Sequence, residues 1–152
     1  MKPAAFDYAR PADWPAALAL LVAGARPVAG AQSLGPMLNL RVATPDRLAD
    51  LRHLPGYAGV EILGDVVRIG AGTTHAAIED GAVPGRLGAI LAGVARHIAY
   101  RAVRNRGTIG GSLAHADPAA DWVAVLSAFP GFAVALGPQA HDASRSTPSY
   151  PA

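Results

Sequence analysis

The chain has 152 residues, 51% of them apolar, with 13 basic and 11 acidic side chains and no cysteine. That is enough for one packed core and too near charge balance for a broad nucleic-acid surface, and it excludes disulfides, thiolate metal sites and cysteine-held iron–sulfur clusters on this chain. No run reaches the ~20 apolar residues of a membrane span, and Met1-Lys2-Pro3 leads into no signal-peptide core, so a soluble cytoplasmic protein is expected.

Ala4 to Tyr8 reads as a short edge strand. Asp13 supplies an N-cap for a helix to about Gly24, with Pro15 in the first turn and Leu18, Leu21 and Val22 as its buried stripe. Pro27 to Ala29 reads as a strand leading into a small-residue loop, and Leu34 to Leu40 as a short helix. Strand, loop and helix in that order aim backbone N–H groups and a positive helix end at an anion. Gly59 to Leu63 and Val66 to Ile69 flank Gly64-Asp65, a hairpin-turn pair. Thr73 or Thr74 caps a helix through Ile78. Leu87, Ile90, Leu91, Val94 and Ile98 recur at helical spacing and predict a helix over 87–98 with one face in the core. Asp117 is placed to cap a further helix to about Phe129. Gly131 to Ala152 is rich in Pro, Ser, Ala and Gly without a period, which divides the chain into a domain over 1–129 and a disordered or non-native tail over 130–152.

Two stretches carry the chemistry. Ala29-Gly30-Ala31-Gln32-Ser33-Leu34 follows the second strand, and Arg104-Asn105-Arg106-Gly107-Thr108-Ile109-Gly110-Gly111-Ser112 precedes Asp117-Pro118. Glycines let backbone approach a ligand closely, and bare N–H groups in such turns attract phosphate oxygens. Gly30, Gly110 and Gly111 offer the approach; Gln32, Ser33, Thr108 and Ser112 offer side-chain donors. Arg104 and Arg106 either raise the local potential or hold loops through carbonyl contacts. Paired loops suggest a clamp around a diphosphate. The pattern is neither the Gly-x-Gly-x-x-Gly dinucleotide fingerprint nor a Walker loop. The five histidines show no metal-ligand spacing. His75 reads as a capping or packing residue, His115 as packing or a ligand neighbour, and Trp122 as packing. Asp121 is either a helix-surface acid or a partner for a ribityl or ribose hydroxyl.

These stretches, with Ile69-Gly70-Ala71-Gly72-Thr73-Thr74-His75, resemble three motifs, in the same order, of the FAD-binding medium subunits of molybdenum hydroxylases, the family of carbon monoxide dehydrogenase and of the flavin domain of xanthine dehydrogenase. The similarity covers about residues 3–129. It implies an α+β, two-subdomain FAD-binding fold of the PCMH (vanillyl-alcohol-oxidase-like) type, with FAD held noncovalently. Carried over by position, the FAD contacts are Val28, Ala29, Gly30, Ala31, Gln32, Ser33, Leu34, Ile98, Thr108, Ile109, Gly110, Gly111, Ser112 and Asp121. The resemblance further implies a small partner subunit with two [2Fe–2S] clusters and a large one with molybdopterin. The alternatives are a non-catalytic remnant that binds FAD weakly or not at all, and a plain nucleotide-phosphate module.

The sequence departs from the family twice. Ala31 stands where a second glycine is usual, harmless if its φ is negative and strained if it is positive. The resemblance also stops near Phe129, which predicts an incomplete second subdomain, from truncation or a shifted reading frame.

Overall fold

The computed structural model describes residues 2–137. Its first unit is a parallel three-stranded sheet of β1 (Asp7–Ala9), β2 (Arg26–Val28) and β3 (Arg47–Asp50), ordered β1-β3-β2. Parallel neighbours need crossover connections, and helices α1 (Trp14–Val22) and α2 (Leu34–Asn39) lie within them. β3 pairs with both edges, Leu48 facing Tyr8 on one side and Arg26 on the other. The sequence reading missed β3. It has no β-branched residue and no alternation, because Leu48, Ala49 and Asp50 are all buried in a central position. β1 starts later than predicted, and β2 one residue earlier.

Asp13 caps α1 as expected, its Oδ1 accepting from the Ala16 N–H at 2.8 Å. The predicted stripe is only partly right. Ala17 is the buried residue, Leu18 and Leu21 are half-buried, and Val22 is 66% exposed. Ala17 packs in a cluster with Leu54 and Tyr57, so the face the helix buries is centred on an alanine and not on the leucine stripe.

The second unit begins with an antiparallel hairpin, β4 (Val60–Leu63) and β5 (Val66–Ile69), turned through Gly64-Asp65 with Gly64 at φ +60°. A positive φ at that position suits glycine in a two-residue turn. Five helices follow: α3 (His75–Glu79), α4 (Gly85–His97), α5 (Arg101–Arg104), α6 (Ile109–His115) and α7 (Asp121–Leu126). Thr74 caps α3 and Thr108 caps α6, each hydroxyl accepting from the N–H three residues on. α4 buries Gly88, Leu91 and Ala95; Leu87, Val94 and Ile98 flank that face, while Ile90 is 40% exposed. Ile78, Val83, Leu91, Ala95, Ile109 and Trp122 form the core between these helices.

The expected cap by Asp117 is corrected. Its Oδ1 accepts from the Ala119 N–H at 2.9 Å and closes a turn, and α7 starts at Asp121 and ends at Leu126. An Asp side chain bonded to its own following backbone competes with helix initiation. α6 has just ended on Ala116 at φ +53°, which redirects the chain before Asp117. Residues 131–137 form no regular element. The remainder of the predicted tail, 138–152, lies outside the described residues.

Candidate anion-binding cleft

Backbone hydrogen bonds stitch the segment before α3 to the loop before α6. Thr74 and Thr108 form an antiparallel bridge. The His75 N–H donates to Gly107 O at 2.9 Å, Ile109 N–H to Thr73 O at 3.0 Å, and Gly110 N–H to Ala71 O at 2.9 Å. The loop after β2 then closes on the same place. A Cβ built on Gly30 would lie 2.1 Å from the Arg106 carbonyl oxygen, and one on Gly110 would lie 2.4 Å from the Ala71 Cβ. Gly30 and Gly110 are therefore required by loop-on-loop packing, a reason the sequence reading assigned to ligand approach. Gly111 differs, because its added Cβ would crowd only the Thr108 Oγ1 at 2.8 Å.

The two loops are unequal as donors. In the second, the N–H groups of Ile109, Gly110, Gly111 and Ser112 are all engaged within the protein. In the first, the N–H groups of Gly30, Ala31, Gln32, Ser33 and Leu34 have no acceptor among the described residues. Ala31 sits at φ +57°, the left-handed conformation that turns successive N–H groups toward one concavity. Its methyl makes that conformation costly, which resolves the question left open by the Gly-to-Ala departure. The Gln32 side chain donates to Gly30 O at 2.8 Å and braces the turn, while Ser33 is exposed and makes no capping bond.

Between these segments lies a cleft of about 260 Å³ lined by Gly30, Arg52, Gly72, Thr74, Asn105, Arg106 and Thr108. Of the residues anticipated as contacts, Gly30 and Thr108 line it. Ala29 and Gly111 adjoin each other, 3.9 Å from the Ala29 Cβ to a Cβ built on Gly111, and Ser112 is half-buried in the first turn of α6. Val28 and Leu34 pack with Leu38 and Leu48, and Ile109 belongs to the other core. Ile98 ends α4 half-buried, with its carbonyl accepting from Arg104 Nη1 at 3.1 Å. Asp121 is exposed at the first position of α7. Neither Ile98 nor Asp121 lines the cleft.

The two arginines of the second motif take different roles. Arg104 is buried, donates to Glu79 and to the Ile98 and Ala99 carbonyls, and holds α5 against α3. Arg106 lines the cleft with no ion pair among the described residues. Sequence reasoning missed Arg52. Its only signal is its place two residues after Asp50, at the end of an unrecognised strand. The Asp50 carboxylate is buried and accepts from Tyr8 Oη at 2.6 Å, Arg52 Nε at 2.9 Å, Arg52 Nη2 at 2.8 Å and the Arg52 N–H at 3.0 Å. The Arg52 guanidinium holds that carboxyl well below the usual range despite burial, and Asp50 raises Arg52 in turn.

His75 is a packing residue. Trp122 Nε1 donates to its Nδ1 at 3.0 Å, and a Cβ on Gly107 would strike its ring at 2.7 Å. Burial, with the nearby Arg104 charge, lowers its pKa to about 4, so the imidazole is neutral at pH 7. His115 is exposed in the last turn of α6. Among the described residues no group of His, Asp and Glu could hold a metal ion, and no helix is long and apolar enough to cross a membrane.

A small parallel layer joined to a helix-and-hairpin unit across a glycine-lined cleft defines an α+β domain with a candidate cofactor site. The chain belongs to the family described as the FAD binding domain in molybdopterin dehydrogenase, matched over residues 4–136. It is 42% identical over 133 residues to the nicotine 6-hydroxylase medium subunit of Paenarthrobacter nicotinovorans, covering 86% of this chain and 47% of that protein. It is 39% identical over 143 residues to the carbon monoxide dehydrogenase medium chain of Afipia carboxidovorans, covering 91% and 49%. Among solved structures, carbon monoxide dehydrogenase from Hydrogenophaga pseudoflava superposes with TM-score 0.75 at 38% identity, over 82% of this chain and 45% of that one. Quinoline 2-oxidoreductase from Pseudomonas putida 86 gives TM-score 0.72 at 39% identity, over 79% and 43%. The fold is thus the two-subdomain FAD-binding type that the motifs imply, with part of the second subdomain present. The chain spans about half the length of the curated relatives it matches.

Proposed function

We propose that this chain binds FAD noncovalently and serves as the flavin-bearing part of a molybdopterin-dependent oxidoreductase. The observation that carries the reading is the 30–34 loop. Its consecutive N–H groups lack acceptors among the described residues, and the loop opens at Gly30 on a cleft that also holds Arg106 and Thr108. A diphosphate needs directed donors, close backbone approach and positive potential, and the residues present fit all three.

On this reading residues 28–34 and 108–112 hold the cofactor, the first loop by its N–H groups and the second by positioning Thr108. Asp121 holds a flavin-side hydroxyl, and Ile98 is a further contact to the cofactor. Bound FAD would supply the redox chemistry, in a relay between [2Fe–2S] clusters on a small partner subunit and an acceptor such as NAD, with molybdopterin on a large partner subunit. The protein's own part is placement and electrostatics.

The test is titration of the purified chain with FAD, followed by quenching of flavin fluorescence and by absorbance near roughly 450 nm, as for any bound flavin. One-to-one retention is expected. A folded, colourless protein that ignores FAD overturns the reading, and one that takes ADP but not FAD is a plain phosphate-binding module.

A further inference from the structure

Arg52 stands outside the glycine motifs, yet it lines the same cleft as Gly30 and Arg106. Its side chain is held unusually firmly. Nε donates to Asp50 Oδ1, and Nη2 donates to both Asp50 Oδ2 and Tyr8 Oη, the last at 3.1 Å. A guanidinium carries five N–H donors. The Nε hydrogen and both Nη2 hydrogens are engaged. The pair on Nη1 has no acceptor among the described residues. Asp50 lies beneath with its side chain fully buried, and it is anchored in the central strand of the sheet.

We propose that Arg52 is a second, prepositioned phosphate anchor of this cleft, working with Arg106 and offering its Nη1 hydrogens to the diphosphate of the bound dinucleotide. The proposal rests on the FAD reading and adds a binding residue that the motifs do not contain.

Charge and geometry support it. Arg10 approaches the same carboxylate at 3.6 Å, so one aspartate faces two arginines and leaves one positive charge uncompensated. Arg106 supplies another, and a diphosphate ester carries two negative charges. Free arginine side chains lose rotamer freedom when they clasp a ligand, and a guanidinium already braced by a buried carboxylate and a phenol has lost most of it beforehand. Asp50, Tyr8 and Arg52 thus act as one device whose uncommitted donors are on Nη1.

The test compares FAD binding by the wild-type chain and Arg52→Gln across a salt series, with inorganic pyrophosphate as competitor. Loss of a charge-assisted phosphate contact is expected to weaken FAD by roughly 10- to 100-fold. The dependence of affinity on salt should become shallower, and pyrophosphate should compete less well. Should Arg52→Gln unfold because it strands the buried carboxylate, Asp50→Asn/Arg52→Gln removes both charges together; because it leaves the net charge of the cluster unchanged, it is read by FAD affinity and pyrophosphate competition, and the salt criterion applies to Arg52→Gln alone. A folded variant that keeps wild-type affinity and salt dependence overturns the proposal. So does one that loses affinity with the salt dependence unchanged, since that marks a purely structural role. Failure of the wild-type chain to bind FAD would instead refute the underlying FAD reading.

Discussion

Gly30→Ala tests whether the two motifs are held together by backbone contact. The new methyl would sit 2.1 Å from Arg106 O, 2.7 Å from Arg106 C and 2.7 Å from Gly107 Cα, all backbone atoms. Carbon atoms in good contact are ~3.5–4.0 Å apart, so the loops must separate by more than roughly 1 Å. Neither loop moves freely, because Gly107 O is bonded to the His75 N–H and the loop after β2 leads directly into α2. Overpacking of this kind costs about 1–3 kcal/mol, and a clash confined to backbone belongs at the upper end. The urea midpoint should fall accordingly, and FAD affinity should drop at least about tenfold, equivalent to ~1.4 kcal/mol, as the cleft opens. Gly35→Ala is the control. Nothing lies within 4 Å of its Cβ, and it stands in the first turn of α2, so the change should be neutral or stabilising by about 0.5–1 kcal/mol. Equal stability and equal FAD binding in the two variants would refute the account of the loop contact.

Ala31→Gly removes a left-handed alanine at φ +57°; relief of about 1–2 kcal/mol, less ~0.5–1 for glycine's added freedom in the unfolded chain, predicts a small gain in the urea midpoint. His75 makes stability fall with acid. The unfolded chain takes up a proton near pH 6.5, whereas the folded imidazole refuses it until about 4, so about 3 kcal/mol is lost between those values and none further below. Unfolding curves of His75→Gln should be flatter across that window, and an unchanged slope would show that another group is responsible. Asp121→Ala should cost no more than about 1 kcal/mol of stability, as an exposed acid at a helix start. Its FAD affinity should fall by on the order of 1–3 kcal/mol if the carboxylate holds a flavin-side hydroxyl, and fluorescence titration showing no change would return it to the helix surface.

Local signals predicted local structure well. The Asp13 cap, the Gly64-Asp65 turn, the Thr74 cap and the periodic α4 helix are all settled within a few residues of chain, and all appear where the sequence places them. β3 was illegible because a short, wholly buried central strand shows no alternation, and its aspartate argues against a strand until Tyr8 and Arg52 are seen around it. Asp117 misled because an N-cap and a side-chain turn look alike in sequence, and only the direction of the chain leaving α6 distinguishes them.

The glycine motifs by themselves determined that two loops would meet closely, since only residues without side chains allow such approach, and their order matches one family. Tertiary structure decided how the labour divides. Bonding to the 71–75 segment and to Thr108 consumes the donors of the second loop and leaves those of the first without a partner among the described residues. It also sends Arg104 into the interior and brings Arg52 from a distant strand end to the cleft. A sequence records which donors exist; which of them remain unspent depends on every acceptor the fold carries to them.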